Sequence, residues 1–134
     1  MEISIQYPCL IDEPAMMMHV VHGDFPQDRR AYHCKALWDT GASNTTVATN
    51  VIKALGLRRV NLPPRLISTA NGQMLSYAYE ACMSLSEKHP PLKMIVWEMP
   101  QSDVKVLIGM DIIGRGRLTI DGTSGKTVLN FDLT

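Results

Sequence analysis

Glycine, proline and the pairs Asn71-Gly72 and Asp121-Gly122 cut this chain into short β-prone runs, and that punctuation limits its fold more than any other feature. From Met1 to Tyr7, Ile3 and Ile5 alternate with Ser4 and Gln6, as in a half-buried strand. Ala15 to His22 is compatible with a strand or a buried helix, its Met16-Met17-Met18 run serving as core filler. A polar turn, Gly23 to Asp28, leads into a second strand, Ala31 to Trp38. Arg65 to Ala70 and Gln73 to Tyr79 flank Asn71-Gly72, a strong hairpin signal, and Glu80 to Ser86 can extend the second run. Leu92 to Trp97 and Asp103 to Gly109 are further apolar runs. Arg117 to Ile120 and Thr127 to Leu133 flank a final turn at Asp121 to Gly125. Helical spacing occurs at Thr49 to Gly56, where Val51, Ile52 and Leu55 share a face, Thr49 stands as N-cap and Gly56 as stop. Met110 to Ile113 makes a single further turn. The expected fold is mostly β and barrel-like, with one or two short helices.

With 134 residues, 46% apolar and 19% charged, the chain suits a single domain over 1–134 with a sizeable core. Thirteen basic residues balance thirteen acidic ones. No cationic surplus is left to neutralise phosphates, so neither nucleic acid nor a membrane is expected as partner. Cys9, Cys34 and Cys82 are widely spaced, which reads as free thiols in a reducing compartment. No basic-then-apolar leader follows Met1-Glu2, and no apolar run reaches the roughly 18 residues of a bilayer span. A cytoplasmic protein from an independent gene is expected. His19 and His22, and the adjacent His33-Cys34, point to different strand faces, so no metal site is expected, nor any cofactor.

The chemistry-bearing stretch is Leu37-Trp38-Asp39-Thr40-Gly41-Ala42-Ser43. An aspartate on a tight loop at a strand end can share the activation of a water with a second carboxylate beside it. Gly41 allows close backbone approach without a Cβ, and Thr40 supplies a hydroxyl that can lock the loop. Taken alone, the triplet reads more readily as a mere turn.

Three segments, taken in order, make the chain resemble the retropepsin-like aspartic proteases. Ala36 to Ser43 resembles their catalytic loop, Leu66 to Tyr79 their flap hairpin, and Val106-Leu107-Ile108-Gly109-Met110-Asp111 their second apolar-apolar-Gly strand with its short helix. Free-standing bacterial versions and the retroviral-like domains of eukaryotic shuttle proteins are more similar than viral enzymes, having a similarly long loop between motif and flap. The resemblance implies a closed acid-protease-type barrel with one flap hairpin. It also implies half an active site per chain, since there is one Asp-Thr-Gly and no Asp-Ser-Gly. The implied activity is that of a homodimeric aspartic endopeptidase, an Asp39 from each subunit activating water for attack on a peptide carbonyl. Two carboxyls about 3 Å apart cannot both ionise, so the pair shares a proton.

By the same resemblance, Asp39, Thr40 and Gly41 are the catalytic residues, with Thr40 bonding across the two-fold axis. Ala42, Val47, Leu66, Asn71, Gly72 and Leu107 are the implied substrate-binding positions. Gly109 sits behind the loop, where a side chain would collide, and Asp111 caps or bonds a backbone amide rather than acting as a second acid.

Two departures from the family pattern carry expectations. Ala42 cannot donate the hydrogen bond that a hydroxyl residue would give a carboxylate, so the activity optimum should be weakly acidic to neutral. A pH–rate profile peaking below about 3 would refute this. Ser43 and Met110 replace the acid–base pair usual in viral members, which puts their style of dimer interface in doubt here. The alternating termini, Ile3/Ile5 and Leu129/Phe131/Leu133, are expected to join an intersubunit sheet. Two rival readings stand beside the protease. One is a non-catalytic dimeric module that binds peptides or a partner protein, and the other is a maturation enzyme acting only on itself or one partner.

Overall fold

The computed structural model describes residues 1–133, a mostly-β fold in which one sheet closes on itself. The strands are β1 (Glu2–Gln6), β2 (Ala15–His22), β3 (Ala31–Trp38), β4 (Thr46–Ala48), β5 (Arg65–Thr69), β6 (Gly72–Ser76), β7 (Ala78–Ser84), β8 (Leu92–Met99), β9 (Val106–Ile108), β10 (Gly116–Asp121) and β11 (Val128–Leu133). Two helices, α1 (Thr49–Leu55) and α2 (Met110–Ile113), follow β4 and β9. The barrel runs β2-β3-β9-β4-β8-β7 and back to β2. Closure leaves no free sheet edge within it.

Alternation decides what fills the barrel. On β2, Met16, Met18 and Val20 are buried while Met17 is 54% exposed, so the methionine run is a strand with period 2 and not a helix. Cys34, Ala36 and Trp38 point inward from β3. Helix α1 lays Val51, Ile52 and Leu55 on this core and stops at Gly56, whose φ of 60° a Cβ would disfavour. Its N-terminus departs from expectation. Ala48 occupies the cap position without a side-chain bond, and the Thr49 hydroxyl is aimed at Glu98 Oε2 and the Met99 carbonyl, each 3.0 Å away.

Strands β1, β11 and β10 form a separate three-stranded sheet with β11 in the middle. Ile3, Leu129 and Phe131 turn inward, and Phe131 meets Trp38 with ring centroids 4.9 Å apart. Burial of each such side chain stabilises the fold by about 1.5–3 kcal/mol. The closing strand is thus hydrogen-bonded on both edges within its own chain. This removes the reason given for an intersubunit sheet through β11, leaving β1 and β10 as the open edges.

The flap is the two-stranded sheet β5–β6. Its two-residue turn is Ala70–Asn71, one position before the expected tip, and Gly72 opens the return strand with φ 111°. The Thr69 hydroxyl accepts from the Asn71 N–H at 3.2 Å and donates to the Gly72 carbonyl at 2.8 Å. The return strand does not run on into β7. At Ser76 the chain is taken up by β8, the Ser76 hydroxyl donating to the Glu98 carbonyl at 2.6 Å and the Glu98 N–H to the Tyr77 carbonyl at 3.0 Å.

Burial holds the Cys34 thiol at a pKa of about 11 and raises that of Cys82, while Cys9 is exposed. A raised thiol pKa favours the unreactive protonated form. At neutral pH a thiol reagent should modify one cysteine per native chain rapidly, and Cys9→Ser should remove that fast phase. All three should react once the chain is unfolded.

Candidate active site

Strands β3 and β9 lie side by side and parallel, pairing Trp38 with Ile108. Strand β9 also pairs with β4, so it fills the gap between β3 and β4, which are consecutive in the chain. The segment joining those two, residues 39–45, must therefore arch over the end of β9. Asp39 starts that arch. Its N–H donates to the Ile108 carbonyl at 2.9 Å, and its Oδ1 accepts from the Gly41 N–H at 2.9 Å. The Ala42 N–H returns to the Asp39 carbonyl at 3.2 Å, closing a tight turn. Thr40 and Gly41 are exposed at its tip, and Asp39 is partly exposed. Among the described residues the Thr40 hydroxyl has no hydrogen-bond partner.

The far side of the arch is clamped to α2. Thr45 is fully buried. Its hydroxyl donates to Asp111 Oδ1 at 2.6 Å and accepts from the Gly109 N–H at 3.1 Å, while its own N–H donates to Asp111 Oδ2 at 2.8 Å. The Met110 N–H donates to the Ala42 carbonyl at 2.8 Å. Asp111 therefore bonds a backbone amide, that of Thr45 rather than one of its own helix. Thr45 carried no sequence signal beyond being a polar residue before an apolar run. Thr45→Val would orphan the buried Gly109 N–H and one Asp111 oxygen, so it should cost about 1–3 kcal/mol. The urea unfolding midpoint would read the loss. A threonine-like midpoint in the valine variant would show that the clamp contributes nothing.

Beside the arch a groove of about 470 Å³ lies between the flap and the 99–102 loop, with Thr46, Ile67, Thr69, Asn71, Met99 and Leu107 in its wall. Among the described residues no charged side chain lines it. Leu107 and Asn71 stand in this wall, while a Cβ built on Gly72 meets nothing within 4 Å. Two expected positions are corrected. Val47 is 0% exposed and faces the barrel core, so its neighbour Thr46 takes the groove side of β4. Leu66 is 61% exposed, opposite the 49% exposed Leu75 on the flap's outer face, so Ile67 is the groove residue. Asp39 is not in this wall, but reaches it through β9, since Leu107 adjoins the Ile108 that holds its amide.

Arg65 fastens the flap's base. Its guanidinium lies 3.9 Å from the centre of the Trp97 ring and donates to Asn44 Oδ1 in the arch. Nothing in the sequence singled it out, because its two partners are distant in the chain.

The gag-polyprotein putative aspartyl protease family matches residues 30–115, which hold the whole arch, the flap and α2. Among solved structures, the EIAV protease complexed with the inhibitor HBY-793 is similar at 18% identity and TM-score 0.54, over 82% of this chain and 92% of that one. A retropepsin-like aspartic protease from Rickettsia conorii is similar at 19% identity and TM-score 0.53, over 98% of this chain and 92% of that one. At such identities the likeness is one of fold. No curated protein matches the chain.

Proposed function

This chain belongs to the gag-polyprotein putative aspartyl protease family, and from that premise we propose that it is an aspartic endopeptidase assembled as a homodimer. The observation that carries the reading is a partly exposed carboxylate on a clamped arch, next to an uncharged groove under a hairpin. Each chain brings one Asp-Thr-Gly, so two copies must meet for a carboxylate pair to exist.

In the dimer the two Asp39 side chains hold a water between them. One carboxylate takes a proton from the water as its oxygen attacks the scissile carbonyl. The other, protonated, gives its proton to the carbonyl oxygen, and the resulting diol collapses with a proton passed to the leaving amine. The Gly41 N–H holds Asp39 Oδ1, so the carboxylate is oriented before substrate arrives. The free Thr40 hydroxyl bonds across the axis to the second arch. The Gly41 carbonyl accepts a substrate amide, and the flap closes over an extended peptide, adding backbone hydrogen bonds and excluding water. An uncharged wall of Ile67, Met99 and Leu107 suits an apolar substrate side chain.

Solution mass and turnover measured together test this. The chain should sediment as a dimer at micromolar concentration, cleave peptides in a manner blocked by a statine-type mimic, and lose specific activity on dilution. Peptide retained but never cleaved would instead favour the binding-module reading. A solitary chain at every concentration, still active, would overturn the shared-site mechanism.

A further inference from the structure

Along the chain the histidines are scattered, but the β2–β3 register brings two together. His19 and His33 are directly opposed in the antiparallel ladder, so their rings stand on the same outer face of the barrel. His33 Nδ1 lies 3.1 Å from His19 Nε2, with ring centroids 4.5 Å apart. Neither ring is buried, and His19 also borders an open cleft of about 570 Å³, so a hydrated ion has access.

We propose that His19 and His33 chelate a single divalent transition-metal ion of the Cu²⁺, Ni²⁺ and Zn²⁺ class. Imidazole nitrogens bind such ions at about 2.0–2.1 Å, and two bonds at roughly 90–110° set the nitrogens about 2.8–3.4 Å apart. The observed separation of 3.1 Å falls within that bite. Without metal, one of the two facing nitrogens carries the shared hydrogen. For both to ligate, His33 holds its proton on Nε2 and His19 on Nδ1. Between two neutral rings the exchange is a tautomer change with a small rotation about χ2.

No third His, Cys, Asp or Glu completes the set among the described residues, so water fills the other coordination positions. The site is a clamp between two strands rather than a closed structural zinc centre. Lys35, two residues beyond His33 on the same face of β3, is already paired with Glu13 at 2.9 Å. Of the remaining histidines, His22 is buried with Nδ1 accepting from the Asp24 N–H, and His89 sits in the 87–91 loop. The inference is independent of the peptidase reading.

The test uses untagged protein near pH 7.5, immobilised Ni²⁺ and Cu²⁺ resins, and melting temperatures with added Cu²⁺, Ni²⁺, Zn²⁺ or Mg²⁺. Wild type should be retained by the resins and should melt higher as metal is added, most with Cu²⁺ and not at all with Mg²⁺. His19→Gln and His33→Gln should each abolish retention and the thermal shift, with circular dichroism unchanged, while His89→Gln should behave as wild type. Equal retention by wild type and both variants overturns the proposal, as does an unchanged melting temperature up to millimolar Ni²⁺ or Cu²⁺. Asp39→Asn should keep the full metal response, so failure of this site and failure of the peptidase reading give different results.

Discussion

Asp39→Asn should lower peptide turnover by about three to four orders of magnitude, or to background, while the chain keeps its fold and its assembly. General acid–base groups contribute about 10²–10⁴ in rate, and a pair acting as one unit loses nearly everything when either chemistry fails. The substitution changes both subunits at once. Stability should change little, because the side chain is partly exposed and its one internal bond is with the Gly41 N–H, which an asparagine oxygen can still accept. A surface change of that kind stays within about 0.5 kcal/mol. Steady-state kinetics, a melting curve and sedimentation on the same sample decide the matter. Turnover equal to wild type would remove Asp39 from the chemistry, and loss of the dimer together with activity would recast it as an assembly residue.

Gly109→Ala should be the most damaging single-methyl change near the site. A Cβ there would lie 2.6 Å from the Asn44 carbonyl carbon, 2.7 Å from its oxygen and 2.9 Å from the Ala42 oxygen. All three are backbone atoms, so no rotamer change relieves the contact, and the arch itself must shift. Gly109 has φ −92°, which any residue adopts, so space and not conformation forbids the side chain. Overpacking costs about 1–3 kcal/mol and more when backbone must move. A penalty near 3 kcal/mol corresponds to a melting temperature lower by roughly 10 °C for a domain of this size. Displacing Ala42 and Asn44 also breaks the Met110 to Ala42 bond and tilts Asp39, so any surviving protein should lose activity beyond its loss of stability. A Gly109→Ala variant with wild-type melting and kinetics would mean that arch and α2 are not packed as described.

Two groove positions, Val47 and Leu66, differ from the sequence expectation for one physical reason. Both are apolar residues near the motif or the flap, and apolar character says a side chain avoids water without saying where it goes. On β4 the inward face is the barrel core, which claims Val47 and leaves Thr46 for the groove. On the two-stranded flap no second layer covers the outer face, so Leu66 and Leu75 stay exposed while Ile67 turns inward. Likewise Thr49, although a good capping residue, is drawn to Glu98 and Met99 on the neighbouring strand. Nothing local ranks those competitors.

The sequence by itself left β4, the break between β6 and β7 and the strand state of β2 open. It determined the order of the other strands, the two short helices, the flap hairpin and the placement of Asp39-Thr40-Gly41 at a strand end. These follow from period-2 alternation, from glycine and proline punctuation, and from turn chemistry, all of which act over a few residues. Only the tertiary structure decided that β9 inserts between β3 and β4, that Thr45, Gly109 and Asp111 clamp the arch, that β11 is paired on both edges, and that His19 faces His33. Each depends on strand register or on which distant partner satisfies a buried donor. Those choices are made by the closed barrel as a whole, where every backbone and polar group must find its bond at once.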